Sequence, residues 1–105
     1  MAAQGFTREQ VTTAIQEAKG GLLALGIKSI GLFGSVARGE ATSKSDVDVL
    51  VEFNDEARTF DHFMDACFLL EDLLGRRVEL VTKDSLSPYI KPHIMKDLHD
   101  VSLAG

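Results

Sequence analysis

The stretch that decides the fold is Gly34–Glu52, GSVARGEATSKSDVDVLVE. It begins directly after the apolar run Ile27–Phe33 (IKSIGLF) and ends inside a second one, Val47–Phe53 (VDVLVEF). Both runs are dense in aliphatic and β-branched residues, so each predicts a strand. Between them, Gly34-Ser35-Val36-Ala37-Arg38-Gly39 reads as a strand-to-helix turn. Glycine at such a turn lets the backbone come close to a ligand. The amides of the following helical turn point at that ligand, and a helix N-terminus favours anions such as phosphate. Ser35 adds a hydroxyl donor and Arg38 a cation. Taken alone, a Gly-Ser pair is better explained as a plain bend. Arg38 is equally a structural partner for a carboxylate such as Glu40.

Asp46-Val47-Asp48 opens the second strand. Alternate strand residues face the same way, about 6–7 Å apart. Two carboxylates at the head of an otherwise apolar strand are costly unless they leave the core or hold a cation. Hard oxygen ligands at that spacing suit Mg²⁺, which needs one or two carboxylates plus phosphate oxygens and water. A solvated strand end explains the same residues without a ligand. A third acidic residue, Glu79, interrupts the apolar run Arg77–Thr82 (RVELVT). An exposed edge position accounts for it; pairing of that run with Val47–Phe53 would instead bring Glu79 to Asp46 and Asp48. Three carboxylates facing a phosphate-binding turn suit two-metal phosphoryl transfer, in which two ions about 3.5–4 Å apart clamp the attacking and leaving oxygens.

Outward from this stretch, helical and strand periods alternate with short breaks. The pattern predicts one α/β (α+β) domain over residues 1–105, a small mixed sheet flanked by helices. Thr7–Leu25 reads as one helix. Thr7 and Gln10 form a capping-box pair, Val11, Ile15, Ala18, Leu22 and Leu25 an apolar stripe, and Gly26 the stop. Gly20-Gly21 weakens its last turns. Asn54–Arg58 is a polar loop, and Thr59 caps a helix carrying Phe60, Phe63, Met64, Cys67, Leu70 and Leu74, ended by Gly75. After Arg77–Thr82, the pair Ser87-Pro88 opens a turn. A closing helix is expected from about Pro92 to Asp100, with Ile94, Met95, Leu98 and Val101 inward.

Composition narrows the function classes. The 105 residues are 45% apolar and 26% charged, with a formal net charge of -5. An acidic chain whose one basic pair is Arg76-Arg77 disfavours nucleic acid as a direct partner. It suits a basic protein partner or a site that gathers divalent cations. The single Cys67 excludes an intrachain disulfide framework and a multi-cysteine zinc site. The opening MAAQGFTREQ does not read as a signal peptide, and the longest apolar runs are too short to span a bilayer. A cytoplasmic protein is expected. His62, His93 and His99 share no metal-ligand spacing, Cys67 falls on an apolar helix face, and Tyr89 is expected to pack at the domain edge.

At Gly34, Ser35, Ala37, Arg38, Gly39, Ser45, Asp46 and Asp48 the sequence resembles the minimal nucleotidyltransferase branch of the DNA polymerase beta-like superfamily. The family pattern is Gly-Ser, then Ala-Arg-Gly, a gap, and Asp-x-Asp opening an apolar strand. The resemblance extends from the leading helix through the closing one and implies the polymerase beta-like palm fold. It implies that Asp46 and Asp48 hold two Mg²⁺ ions, that Gly34 and Ser35 hold the phosphates of a nucleoside triphosphate, and that Glu79 takes a third metal-binding and catalytic place. That last place is usually aspartate, so Glu79 departs from the pattern by one methylene. Stand-alone members commonly pair with a HEPN-domain ribonuclease in a toxin–antitoxin system. The resemblance therefore implies an antitoxin that transfers AMP from ATP to a tyrosine of a HEPN toxin.

Two rival readings belong to other classes. A catalytically weak chain could neutralise its partner by covering it, and the Glu79 departure motivates that reading. A small-molecule nucleotidyltransferase completed by homo-oligomerisation is the other; the absence of a substrate domain weighs against it.

Overall fold

The two apolar runs flanking the Gly34 turn meet as antiparallel neighbours, β1 (Ile27–Phe33) and β2 (Val47–Phe53), with Leu32 opposite Val49 and Phe33 opposite Asp48. These are the boundaries that the apolar patterning predicts. The computed structural model describes residues 7–42 and 44–103. The opening segment read above for a secretory leader therefore falls mostly, over residues 1–6, outside the described residues. A third strand, β3 (Val78–Thr82), pairs parallel to β2 and places Asp48 opposite Glu79. A fourth, β4 (His99–Val101), pairs antiparallel to β1, giving a mixed sheet of order β3-β2-β1-β4.

Alternation divides this sheet cleanly. Ile30, Leu32, Val47, Val49, Val51, Phe53, Val78, Leu80 and Val101 share one core with helix residues Val11, Ile15, Leu22, Ala66 and Leu70. Fully burying side chains such as Leu22, Leu32 and Leu70 contributes about 1.5–3 kcal/mol each. Among the described residues, no polar or charged side chain is buried. The opposite face carries Phe33, Asp48 and Glu79 in one row, and Gly31, Leu50 and Val81 in the next. Helix α5 (Lys91–Asp97) and the segment before it cover that face; a Cβ on Gly31 would lie 2.8 Å from Leu98 Cδ1.

The leading helix divides into α1 (Arg8–Glu17) and α2 (Lys19–Ala24). Ala18 sits between them at φ -98° and ψ 12°, just before the two glycines that make continuation costly. The capping box forms as read: Thr7 Oγ1 accepts from the Gln10 amide at 3.1 Å, and Gln10 Oε1 accepts from the Thr7 amide at 3.0 Å. Replacing Thr7 by Ala orphans a first-turn amide and should cost about 1 kcal/mol. Thermal melting should then fall by about 4–8 °C, and an unchanged midpoint would show that the cap contributes nothing.

Gly26 (φ +84°) ends α2 and allows close contact with Ala57, in the 3₁₀ turn Asp55–Ala57 inside the polar loop. Helix α4 (Phe60–Leu74) is capped by Thr59, whose hydroxyl accepts from the His62 amide, and ends at Gly75 (φ +66°). Its stripe is narrower than expected: Leu70 is buried, but Phe60 is 74% exposed. Tyr89, expected to pack, is 87% exposed.

The tail departs most. The expected helix to Asp100 stops at Asp97, Leu98 turns extended (φ -63°, ψ 128°), and His99–Val101 becomes β4. Val101 does point inward, but as a strand residue beside Ile30. Satisfying the otherwise bare outer edge of β1 outweighs one more helical turn.

Candidate active site

β1 delivers the chain to Gly34 with Phe33 extended, and Gly34 at φ +75° swings it into α3 (Gly34–Arg38). The glycine is required twice. Its φ is in the left-handed region, and a Cβ there would lie 2.1 Å from Asp48 Oδ2. Turn backbone and the Asp48 carboxylate therefore touch. Ser35 is half-buried in the first turn of α3, while Val36 and Ala37 anchor the helix in the core.

Asp48, which touches this turn, has two further acidic residues near it. Asp48 is half-buried on β2, Glu79 is exposed opposite it on β3, and Asp46 is exposed one residue before β2 begins. Burial pushes the Asp48 carboxyl above its ordinary range; Glu79 and then Asp46 push it further, and Arg38 opposes them. A half-buried carboxylate repelled by two others is a place that gains from a cation. Among the described residues, no three acidic, His or Cys side chains are drawn close enough to form a ready-made ligand set. The cluster is loose.

Arg38 makes the structural pairing with Glu40 and a second one with Asp97. Its Nε donates to Glu40 Oε1 at 2.9 Å and its Nη1 to Asp97 Oδ2 at 2.9 Å. The second bond ties α3 to α5 across 59 positions of sequence.

Arg76 is the contributor that sequence reasoning missed. Named above only as half of the one basic pair, it donates from Nη1 to the carbonyls of Thr42 at 3.3 Å and Ser45 at 3.4 Å. The Ser45 hydroxyl in turn accepts from the Thr42 amide at 2.8 Å, and the Val47 amide donates to the Arg77 carbonyl at 3.0 Å. The loop leading to Asp46 is thus pinned to the entrance of β3. The visible signal was an arginine directly after the helix-ending Gly75, but its acceptors are backbone carbonyls more than 30 residues away. His62, by contrast, belongs to the start of α4, where its ring Nδ1 lies 2.8 Å from the Ala57 carbonyl oxygen.

Comparison with known proteins fits this geometry. The profile of the nucleotidyltransferase domain family matches residues 15–101. A Methanocaldococcus jannaschii protein whose name assigns it protein adenylyltransferase activity is 46% identical over 74 residues, covering 69% of this chain and 74% of that protein. The protein adenylyltransferase MntA of Thermococcus cleftensis is 44% identical over 73 residues, covering 70% of this chain and 73% of its own. A solved structure described as a minimal nucleotidyltransferase superposes with a TM-score of 0.75 at 36% identity, over 90% of this chain and 95% of that one. A toxin–antitoxin structure with AMP-PNP shares the fold at a TM-score of 0.68 and 22% identity, over 85% and 73% of the two chains. The family match over residues 15–101 and the 46% identity to the Methanocaldococcus jannaschii protein show that the chain belongs to the nucleotidyltransferase domain family.

Proposed function

We propose that this chain is a Mg²⁺-dependent protein adenylyltransferase, an antitoxin that moves AMP from ATP onto a tyrosine hydroxyl of a HEPN-domain toxin. The observation that carries the reading is Asp48 in register with Glu79 on one side and touching the Gly34 turn on the other. Kinship supports the protein acceptor: the relatives above carry the name protein adenylyltransferase. A fold neighbour (TM-score 0.57, 19% identity) is an MNT antitoxin bound to an AMPylated HEPN toxin of Shewanella oneidensis.

In this reading Gly34 and Ser35 receive the phosphates through backbone amides and hydroxyl, with Arg38 lending positive charge beside them. Asp46, Asp48 and Glu79 hold two metal ions. When bound there, Mg²⁺ neutralises the leaving pyrophosphate and acidifies the acceptor hydroxyl. The acceptor oxygen forms a bond to the α-phosphorus, and the bond from that phosphorus to the bridging oxygen breaks. Pyrophosphate departs with the electron pair, and the acceptor's proton passes to the Glu79 carboxylate. Most of the rate gain is positioning and charge stabilisation. No helix among the described residues is long and apolar enough to cross a membrane. A cytoplasmic single-domain enzyme acting without direct nucleic-acid contact completes the proposal.

The test is intact-mass analysis of a HEPN-domain protein incubated with this chain, Mg²⁺ and each nucleoside triphosphate in turn. Whole AMP additions that need both Mg²⁺ and ATP are expected. A tight complex without mass gain would replace this reading by the binding module. AMP transfer to an aminoglycoside in place of the protein would favour the small-molecule enzyme.

A further inference from the structure

Arg8 is a poor residue for its own helix. It opens α1 directly after the cap Thr7, at the end where the aligned peptide dipoles favour anions, so a cation there is locally unfavourable. Its guanidinium is also incompletely satisfied: Nε is buried and has no hydrogen-bond partner among the described residues. Glu9 offsets part of the charge, with Oε2 3.5 Å from Arg8 Nη2. A side chain that breaks two local rules is held in place by something else.

That something is α3. Arg8 Nη1 donates to the Ala37 carbonyl oxygen at 3.1 Å, in a part-buried bond that spans 29 positions of sequence. Ala37 lies in the last turn of α3, where carbonyls lack helical partners and positive charge is favoured. Helix α3 has five residues, too few to hold its own shape or place. Its position is set by what grips it: Val36 and Ala37 in the core, Arg8 from α1 on the core side of the sheet, and Asp97 of α5, through Arg38, on the other. The Arg38 pair joins exposed side chains, which contributes little. The Arg8 bond ends on the α3 backbone itself.

Moving α3 moves the Gly34 turn. Gly34 opens the same helix within one turn of Ala37, and it approaches Asp48 so closely that a Cβ would lie 2.1 Å from Oδ2. A shift of about 1 Å in groups so placed costs on the order of 10² in rate.

We infer that Arg8 is a positioning residue: through the Ala37 carbonyl it sets α3, and with it the Gly34 turn, against Asp48. The inference rests on the nucleotidyltransferase reading above and adds a residue, outside the turn and the carboxylates, that fixes their relative place.

Steady-state transfer to a HEPN-domain protein, with Mg²⁺ present and ATP varied, tests it in the full chain. Arg8→Met keeps the stem and removes the donors. It should raise KM for ATP about tenfold and lower kcat about tenfold. Loss of a merely structural residue would reduce the folded fraction, which lowers kcat and leaves KM where it was, so an unchanged KM overturns the inference. Arg8→Lys keeps a cationic donor and should recover most of the loss; no recovery overturns it as well. Glu9→Gln removes a charge at the same helix end and should leave both constants as in wild type. A rise in KM equal to that of Arg8→Met would place the effect in α1 and not in the bond to Ala37, and the inference would fall. Failure of the underlying reading looks different, because the wild-type chain would then transfer nothing. Amide NMR without nucleotide carries the test past that failure: Arg8→Met should shift the Gly34, Ser35 and Asp48 amides while Glu9→Gln does not. Amides unmoved by Arg8→Met would end the inference.

Discussion

Asp48→Asn should cut AMP transfer by at least about 10³-fold while raising the melting temperature of the metal-free protein. The loss follows from position: Asp48 is the carboxylate that touches the Gly34 turn and also faces Glu79. The gain follows from its titration. Burial, with Glu79 and Asp46 adding repulsion, raises the Asp48 carboxyl above its ordinary 3.8, so the folded state holds that proton more tightly than the unfolded chain. Stability is then undiminished below the ordinary carboxylate range and falls as pH rises through the folded value. At pH 7 the penalty is complete, and asparagine removes it. Melting curves in a chelator at pH 4 and pH 7, beside intact-mass assays of transfer, check both halves. A variant that melts lower than wild type at pH 7 and still transfers AMP would overturn the assignment.

Gly34→Ala should damage fold and activity together. The left-handed backbone alone costs an alanine about 1 kcal/mol. The new methyl would stand 2.1 Å from Asp48 Oδ2, so turn or carboxylate must move. A total loss of about 2–3 kcal/mol is expected. Displacing a reacting group by about 1 Å costs on the order of 10² in rate, so transfer should fall by at least that factor in the fraction that stays folded. Gly75→Ala is the control. Its φ of +66° is comparable, but a Cβ there meets nothing within 4 Å. It should pay the backbone cost of about 1 kcal/mol and keep its transfer rate. Equal activity in the two variants would mean that contact with Asp48 is incidental.

What could be read in advance followed the range of the interactions involved. β1 and β2 were legible because each carries its own apolar run between its own breakers, and the Thr7 and Thr59 caps because they act within three residues. The Arg38 bond to Glu40 spans two positions and was within reach; its bond to Asp97 was not. The parallel alignment of β3 with β2 could be posed only as a condition, since α4 separates them and strand pairing is non-local. β4 could not be seen because Ile94, Leu98 and Val101 satisfy a helical spacing. Only the exposed edge of β1 decides against it. The split at Ala18 was half-visible in Gly20-Gly21, which signal weakness without saying where the helix breaks.

The short pairing of residues 99–101 with the middle of β1 has a consequence for anyone trimming or fusing this protein. Removing those three residues would spare Asp46, Asp48, Glu79 and the Gly34 turn. It would also strip Val101 from the core and leave β1 with unpaired amides and carbonyls along one side. Such an edge recruits whatever strand is nearest, including the same edge on another copy. Shortened forms would then be lost to aggregation before their chemistry could be assayed, and their silence would be mistaken for a catalytic defect.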